Sequence, residues 1–307
     1  MPQRCAHCCW PTWVLRMRDP WPRIGVGAMP LSRNHYHSSE ELASRIAVLH
    51  AAFNAGFTVV DTADVYAPSA DAVGHNERIV GEAVRTWGGG RDSLFVLTKN
   101  GLRREGDHWW RDNSRAWMLE AAQKSAEALG FIPDCTAVHR LNREQSWDEC
   151  VLALCEARDT GLTKSIGLSN VTATELRRAW DVSQGSIVVV ENEHSPRRRD
   201  DQAVIDFCGE HGIAYLPWSP LGGGSEAAQL ADIYPQFALV AAQHDTTAQV
   251  VALAWLAALG ERVVPIPGFS RVQTVHATAA AQHLQLTSQQ VAALTAVAPG
   301  AGSVFPD

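Results

Sequence analysis

The stretch Leu94–Lys99, LFVLTK, is a run of apolar residues that ends in a charged one. The same pattern recurs at Thr58–Asp61 and at Cys135–His139, and a stretch with helical spacing of apolar residues follows each run. Short apolar runs that alternate with helices predict parallel strands in βα units. If such units close into a barrel, the C-terminal ends of the strands converge on one face, and distant polar residues meet there.

Eight strand-like runs can be traced along the chain. They lie at residues 24–27, 58–61, 94–99, 135–139, 164–169, 187–191, 214–219 and 263–267. Amphipathic stretches such as Arg115–Leu129 and Trp147–Arg158 separate them. We therefore expect an α/β fold, a (β/α)8 TIM barrel, in which residues 23–307 form a single domain with a C-terminal helix. Residues 1–22 are expected to be a poorly ordered N-terminal segment.

Four polar residues at or just after strand ends form a chemically sensible set: Asp61, Tyr66, Lys99 and His139. A tyrosine is a poor acid at neutral pH because its ordinary pKa is about 10, but a nearby ammonium such as Lys99 favours the phenolate. A carboxylate partner, Asp61, would keep the lysine charged inside a cleft. A neutral His139 could then orient a carbonyl oxygen for protonation by Tyr66.

A series of short motifs runs through the chain in a defined order. The motifs are Asp61–Tyr66 followed by Asn76-Glu77, then Leu97–Lys99, Val138–Arg140, Ile166–Asn170, Trp218–Gly222 and Pro265–Gly268. In order and spacing they resemble the aldo-keto reductase superfamily over roughly residues 23 to 297. The resemblance implies NADPH-dependent reduction of an aldehyde or ketone to an alcohol, with hydride from the nicotinamide and the proton from Tyr66.

The resemblance also implies which residues bind the cofactor. Trp218 would stack on the nicotinamide ring, Ser169, Asn170 and Glu191 would hold its carboxamide, and Ser270 with Arg271 would contact the 2′-phosphate. The full set carried over is Gly27, Ser169, Asn170, Glu191, Trp218, Ser219, Pro220, Leu221, Gly222, Ile266, Gly268, Ser270 and Arg271. Trp218 could instead be barrel packing, and Arg271 could be a solvated charge at a helix start.

The sequence departs from the family pattern at two places in the cofactor site. Glu191 stands where the family usually has Gln, and a carboxylate cannot donate to the carboxamide oxygen unless it is protonated. Ala277 and Thr278 replace a Glu-Asn pair that commonly contacts the adenine. Substrate contacts are expected from Met29, Trp109 and Trp110, although the two tryptophans could equally belong to a loop that packs on the barrel.

Composition narrows the class of partners. The 307 residues carry a formal net charge of −7, which argues against nucleic acid or an anionic membrane as a partner. No apolar run approaches the roughly 20 residues that span a bilayer. Seven cysteines, an odd number in a chain of this size, favour reduced thiols in a cytoplasm. Cys5, His7, Cys8 and Cys9 lack a second ligand cluster at zinc-finger spacing, so no metal is expected.

Two other functions are compatible with the same motifs. The chain could be a cofactor-binding regulatory or redox-sensing barrel with little turnover. It could also catalyse a redox-neutral or dehydrating reaction on a biosynthetic intermediate. The loops that set specificity in such barrels vary, so the physiological substrate does not follow from the fold. The oligomeric state does not follow from the sequence either.

Overall fold

The computed structural model describes residues 21–305 of the 307-residue chain. Its main sheet contains seven parallel strands, which follow one another in space in the order of the chain. They are β1 (Val26–Gly27), β2 (Val59–Asp61), β3 (Phe95–Asn100), β6 (Cys135–Val138), β7 (Ile166–Ser169), β8 (Ile187–Glu193) and β9 (Ala214–Trp218). Two further strands, β4 (Leu102–Glu105) and β5 (His108–Arg111), form a separate antiparallel hairpin.

The segment 263–268 closes the sheet into a barrel. On one side, Val264 N–H donates to Tyr215 O at 2.8 Å and Ile266 N–H donates to Pro217 O at 3.1 Å. On the other side, Gly25 N–H donates to Pro265 O at 2.9 Å and Gly27 N–H donates to Pro267 O at 3.0 Å. Pro265 and Pro267 have no N–H group and alternate with residues that do, so the segment bonds both neighbours without a continuous ladder. The segment predicted as the eighth strand, residues 263–267, therefore occupies the position of a strand but lacks a regular ladder of hydrogen bonds.

Helices cover the outside of the barrel. They are α1 (Ser39–Asn54), α2 (His75–Thr86), α3 (Arg115–Leu129), α4 (Trp147–Asp159), α5 (Ala173–Val182), α6 (Gln202–His211), α7 (Gly224–Ile233), α8 (Pro235–Gln243), α9 (Ala248–Ala257), α10 (Val272–Thr278) and α11 (Ser288–Thr295). Ser38, Ser114, Ser146 and Thr172 accept a backbone N–H in the first turn of α1, α3, α4 and α5. These side chains satisfy donors that have no partner within the helix, which fixes where each helix begins.

Alternation along the strands decides which side chains enter the barrel. Phe95, Leu97, Ala137, Val189 and Leu216 form a closed interior cluster, whereas their neighbours in sequence pack against the helices. Successive side chains of a strand point to opposite faces, so the next inward positions toward the C-terminal end are fixed. They are Asp61, Lys99, His139, Ser169, Glu191 and Trp218. The alternation of side chains along each strand therefore places these polar residues at one end of the barrel interior.

The other end of the barrel interior is closed by an aromatic residue. Trp21 is buried and lies against Phe95, with ring centroids 5.2 Å apart. The sequence placed Trp21 in the N-terminal segment 1–22, whereas in the structure it completes the interior cluster. Residues 1–20, and with them Cys5, His7, Cys8 and Cys9, lie outside the described residues.

Candidate active site

The four predicted catalytic residues meet at the C-terminal end of the barrel. Asp61 ends β2, Lys99 lies near the end of β3, and His139 directly follows β6. The Lys99 Nζ atom is 5.1 Å from the centroid of the Tyr66 ring. The rings of Tyr66 and His139 meet edge to face, with centroids 5.5 Å apart. The structure thus brings together residues that span 78 positions of sequence between Asp61 and His139.

Lys99 is held by two carboxylates. Its Nζ donates to Asp61 Oδ1 in a short hydrogen bond, and it lies 3.0 Å from both Oε1 and Oε2 of Glu191. The side chains of Lys99, Asp61 and Glu191 are 1%, 5% and 2% exposed, so water does not screen the three charges. The sequence predicted Asp61 as the partner of Lys99 and assigned Glu191 to the cofactor carboxamide. The contact between Glu191 and Lys99 was not foreseen.

Burial dominates the acid–base properties of the site. Burial raises the pKa of Tyr66, and the attraction of Lys99 for the phenolate opposes this rise only in part. The effect of Lys99 was expected from the sequence, whereas the larger effect of burial was not. Burial, assisted by the nearby positive charge of Lys99, lowers the pKa of His139 well below its ordinary value. At neutral pH the site therefore contains a protonated phenol and an uncharged imidazole.

Burial and the charge of Asp61 raise the pKa of Glu191 to about 8, although Lys99 counteracts them. The pKa of Asp61 is also raised by burial, against the pull of Lys99. The pKa of Lys99 itself is raised, because its two carboxylate partners outweigh the effect of burial. Lys99 is thus charged throughout the physiological range, and the carboxylates are the members of the group that take up protons.

Buried hydrogen bonds hold the loop that carries Tyr66. Asn76 anchors the far end of the loop, because its Nδ2 donates to Ala28 O at 2.9 Å and its backbone N–H donates to Tyr66 O at 3.2 Å. Asp64 accepts from Asn100 Nδ2 at 3.0 Å, which ties the loop to the end of β3. These bonds leave the Tyr66 ring few positions, as a proton donor requires.

The residues expected to hold the nicotinamide are also adjacent. Asn170 Nδ2 donates to His139 O at 2.9 Å and to Ser169 Oγ at 3.0 Å, and Asn170 Oδ1 accepts from Trp218 Nε1 at 3.1 Å. Asn170 has a φ of 59°, a left-handed conformation that is uncommon outside glycine. The ring of Trp218 is only partly buried. A partly buried indole fixed by an amide beside His139 fits a flat aromatic ligand.

Backbone N–H groups suited to an anion lie just beyond Trp218. Ser219, Gly222 and Gly223 have φ values of 45°, 79° and 90°, and helix α7 begins directly after them. Among the described residues no side chain caps the N-terminus of α7, so its first N–H groups remain available. Arg197 lies nearby, paired with Glu226. Glycines, uncapped amides and a guanidinium fit a diphosphate, as expected for Ser219, Pro220, Leu221 and Gly222.

The remaining predicted cofactor residues lie at the barrel closure and after it. Gly27 and Gly268 face each other across the bridge that closes the sheet, and Ile266 points into the barrel interior. Ser270 and Arg271 are exposed at the start of α10, where a phosphate can reach them. Thr278 is buried and donates to Thr274 O at 2.9 Å, so its hydroxyl is not directed to an adenine.

The C-terminal segment covers part of this site. Val304 N–H donates to Glu193 Oε1 at 2.9 Å, and Ser303 donates to the other oxygen of the same buried carboxylate. The ring of Phe305 lies 6.0 Å from that of Trp218. Sequence reasoning missed Glu193 and this segment. The strand period carried a signal for Glu193, because residues 189, 191 and 193 share the inward face of β8.

The predicted substrate residues are spread around the mouth of the barrel. Trp109 and Trp110 lie on β5 and stack against Arg104 and Arg103 of β4, with guanidinium carbons 4.8 and 5.2 Å from the ring centroids. The hairpin contacts the Tyr66 loop, since Arg104 donates to Ala67 O at 3.1 Å. Met29 starts a short 3₁₀ helix after β1. A cavity of about 260 Å³ beside Trp218 is lined instead by Asn170, Glu193 and Phe305 among others.

A sequence profile of the Aldo/keto reductase family matches residues 23–299 of this barrel. The chain belongs to the aldo-keto reductase family. Pyridoxine 4-dehydrogenase of Escherichia coli (strain K12) is 32% identical to it over an alignment of 288 positions that covers 90% of this chain and 94% of the relative. The family, the barrel fold and the class of NAD(P)-dependent oxidoreductase predicted from the sequence are thereby confirmed.

Solved structures of aldo-keto reductases have the same fold. The thermostable aldo-keto reductase Tm1743, in complex with the inhibitor epalrestat, has a TM-score of 0.75 and 25% identity, with 91% of this chain and 96% of that one covered. The Bombyx mori aldo-keto reductase AKR2E4, in complex with NADP, has a TM-score of 0.70 and 25% identity, with 89% and 88% covered. The predicted cofactor, NADPH, agrees with the cofactor of this family.

The geometry of residues 21–305 bears on metal ligation and on membrane insertion. In this range no group of three or more His, Cys, Asp or Glu side chains is arranged to hold a metal ion. None of the helices described there is both long and apolar enough to cross a bilayer.

Proposed function

We propose that this aldo-keto reductase reduces an aldehyde or ketone to an alcohol with NADPH, and that Tyr66 protonates the carbonyl oxygen. The observation that carries the proposal is the meeting of Tyr66, Lys99 and His139 beside the partly buried ring of Trp218. When bound, the cofactor supplies hydride to the carbonyl carbon, and the chain must then supply a proton to the oxygen. Tyr66 is the proposed donor in this set, because Lys99 keeps its charge and His139 is uncharged at neutral pH.

The raised pKa of Tyr66 supports its role as an acid. A phenol that keeps its proton at neutral pH is ready to donate as negative charge develops on the carbonyl oxygen. The lowered pKa of His139 excludes an imidazolium as the competing donor at neutral pH. A neutral imidazole still has one N–H group, which can hold the oxygen next to the Tyr66 hydroxyl. The two rings, 5.5 Å apart, are close enough to contact one oxygen atom.

Lys99 stabilises the phenolate that remains after the proton has left. Its ammonium is 5.1 Å from the ring of Tyr66, and its charge lowers the pKa of that residue against the effect of burial. Asp61 holds the ammonium in place. The positive charge thus acts where negative charge develops on the enzyme during the reaction.

Ser169, Asn170 and Trp218 would position the nicotinamide, and the glycine-rich turn before α7 would hold the diphosphate. Exposed Ser270 and Arg271 would contact the 2′-phosphate, which favours NADPH over NADH. A relative at 32% identity is named for pyridoxine, and an aromatic carbonyl suits the tryptophans around the barrel mouth. Met29, Trp109 and Trp110 are proposed as substrate contacts, and a cytoplasmic location is proposed on the cysteine content.

The test is steady-state consumption of NADPH with a panel of aldehydes and ketones, by the wild-type enzyme and Tyr66→Phe. The variant keeps the ring and removes the proton, so kcat should fall about 10²–10⁴-fold, the usual contribution of general acid catalysis. The affinity for NADPH, measured by fluorescence titration, should stay within about twofold of wild type. Near wild-type turnover in Tyr66→Phe would overturn the assignment of the acid.

The same assay separates the two alternative functions. A regulatory or redox-sensing barrel would bind NADPH tightly and show almost no steady-state turnover with any carbonyl. A redox-neutral or dehydrating enzyme would form product without net consumption of NADPH. Either result with the wild-type enzyme would overturn carbonyl reduction.

A further inference from the structure

Glu191 and Lys99 form a contact that the chemistry of Tyr66 does not require. Asp61 alone supplies the negative charge that an isolated Lys99 would need. Glu191 nevertheless places both carboxylate oxygens 3.0 Å from the Lys99 ammonium, with its side chain 2% exposed. One ammonium and two ionised carboxylates would leave a net charge of −1 inside the barrel. An unbalanced charge away from water is costly, which argues for a role beyond holding Lys99.

Glu191 is also adjacent to the residues proposed to hold the nicotinamide. It pairs with Ser169 in the register of β7 and β8, and its backbone oxygen accepts from Asn170 N–H at 3.0 Å. The nicotinamide ring is positively charged when oxidised and neutral when reduced. A carboxylate in this position therefore attracts one redox form of the cofactor and not the other.

The titratable groups that interact with Glu191 lie on β2, β3 and β6 and on the loop after β2. They are Asp61 of β2, Lys99 of β3, Tyr66 of the loop and Cys135 of β6. Lys99 is the one positive charge in this group, and Asp61 and Glu191 share it. Glu191 is thus the carboxyl group most readily neutralised by a proton, in agreement with its pKa of about 8.

We propose that Glu191 selects the redox state of the cofactor, because it is neutral when reduced cofactor is bound and ionised when oxidised cofactor is bound. This inference rests on the proposed function. At neutral pH the protonated carboxyl donates a hydrogen bond as an amide would, and no net charge opposes NADPH. Binding of NADP⁺ favours the carboxylate, so the O–H bond of Glu191 breaks and its proton leaves to solvent. The affinity for NADP⁺ therefore rises with pH relative to that for NADPH.

The size of the proton release follows from linkage. A tenfold preference of the ionised site for NADP⁺ corresponds to a fall of about one unit in the pKa of Glu191, from about 8 to about 7. At pH 7 this change releases a fraction of a proton more per NADP⁺ bound than per NADPH bound. The 2′-phosphate is common to both cofactors, so its titration cancels from the comparison.

The experiment is isothermal titration of the full-length enzyme with NADP⁺ and with NADPH in two buffers that differ in ionisation enthalpy. At pH 7 the wild-type enzyme should release more protons with NADP⁺ than with NADPH. Glu191→Gln, which keeps the size of the side chain and cannot ionise, should release the same number with both cofactors. The ratio of the two dissociation constants should shift about tenfold between pH 6 and pH 9 in wild type and stay constant in Glu191→Gln.

Asp134→Asn is the matched control, because it makes the same carboxylate-to-amide change at the opposite end of the barrel. It should keep the wild-type proton release. Tyr66→Phe identifies the source of the proton, since release should persist in that variant. If Glu191→Gln does not fold, the pH dependence of the wild-type ratio remains a complete test, and a ratio constant from pH 6 to pH 9 overturns the proposal.

Failure of this inference and failure of the proposed function give different results. An excess of proton release with NADP⁺ over NADPH that persists in Glu191→Gln and disappears in Tyr66→Phe would show that Tyr66 titrates, and it would leave carbonyl reduction intact. Absence of NADPH consumption with every carbonyl would overturn the reduction, while the binding measurement would still report on Glu191.

Discussion

The two ends of the barrel contain ion clusters of opposite composition. At the C-terminal end, one cation, Lys99, lies between two carboxylates, and none of the three side chains is more than 5% exposed. At the N-terminal end, one carboxylate, Asp134, lies between two cations, Arg91 at 2.6 Å and Lys164 at 3.0 Å. The side chains of Arg91, Asp134 and Lys164 are 23%, 14% and 50% exposed. The cluster around Asp134 is accessible to water, whereas the cluster around Lys99 is buried.

The difference in exposure indicates that the Asp134 cluster contributes to stability, whereas the buried Lys99 cluster contributes to function. Asp134 also accepts from Val96 N–H at 2.8 Å, so its cluster fastens the start of one strand to its neighbours. Solvent screens its excess charge, and the cluster costs little to maintain. The buried cluster at Lys99 cannot be screened, and its carboxyl groups respond by raised pKa values. Strongly perturbed groups of this kind concentrate at functional sites, and the position of Tyr66 beside them agrees with that rule.

The largest effect should come from Lys99→Met. The substitution leaves two buried carboxylates without a cation, and breaking a buried ion pair in this way typically destabilises a fold by about 3–5 kcal/mol. It also removes the charge that favours the Tyr66 phenolate, so kcat should fall at least about 100-fold and its pH optimum should move. Chemical denaturation and a pH–rate profile measure the two effects. A folded, active variant with an unchanged pH–rate profile would contradict the role of Lys99.

The loss of stability in Lys99→Met should depend on pH. Lys99 now restrains the upward pKa shifts of Asp61 and Glu191, so its removal raises both values further. A carboxyl group whose pKa is higher in the folded than in the unfolded state stabilises the fold at low pH, and that stability is lost as pH rises through the folded value. The deficit relative to wild type should therefore be larger at pH 8 than at pH 5, as measured by urea denaturation.

A smaller and different effect is expected from Arg271→Ala. Arg271 is exposed at the start of α10, outside both clusters, so its removal should leave the unfolding free energy of the free enzyme unchanged. A charge-assisted hydrogen bond is worth about 1.5–3 kcal/mol, so NADPH binding should weaken roughly ten- to a hundredfold, with NADH binding nearly unaffected. Equal weakening of both would show that Arg271 supports the loop and does not contact the phosphate.

At the other end of the barrel, Asp134→Asn should affect stability alone. The amide keeps one acceptor for Val96 N–H and loses the charge that pairs with Arg91 and Lys164, so about 1–2 kcal/mol of unfolding free energy should be lost. Because the cluster is partly exposed, added salt should reduce the difference from wild type. A change in the affinity for either cofactor would contradict the separation of the two ends.

The smallest effect should come from Lys164→Met, the matched control for Lys99→Met. Lys164 pairs with Asp134, and its side chain is half exposed, so its loss should cost at most about 1 kcal/mol. Activity and its pH dependence should match wild type. A loss of stability as large as that of Lys99→Met would show that the exposure of the two lysines is not what distinguishes them.

Regular periodicity made much of the fold predictable, and irregular backbone made the rest hard to predict. Helix α3 spans Arg115–Leu129 as the apolar spacing predicted. Ser114 caps its first turn and Gly130 ends its last turn, so both ends are marked in the sequence. The closing segment at residues 263–267 was predicted as a strand, but its alternating prolines interrupt the ladder. The hairpin Leu102–Arg111 was not predicted, although its Gly106-Asp107 turn is a recognised hairpin signal.

The site residues that lie at the ends of strands could be predicted from the sequence. Asp61, Lys99 and His139 follow from strand ends, and the structure brings them together with Tyr66. The partnership of Glu191 with Lys99 could not be predicted from spacing, because the two residues lie 92 positions apart on strands that are not neighbours. Contacts across the inside of a barrel depend on its closure, which strand periodicity does not encode. The cover over Trp218 by Phe305 was missed because the C-terminal segment that carries Phe305 has no helix or strand whose periodicity would fix its path.

The pH dependence of kcat/KM for carbonyl reduction tests most directly which group gives the proton. With Tyr66 as the donor and its pKa raised by burial, the rate constant should stay level from about pH 5 to about pH 7, below the range in which Glu191 titrates. The titration of His139, whose pKa is well below its ordinary value, should not change kcat/KM in this range. A decline in kcat/KM with a midpoint near pH 6.5, abolished in His139→Gln, would identify the imidazolium as the acid and contradict the role of Tyr66.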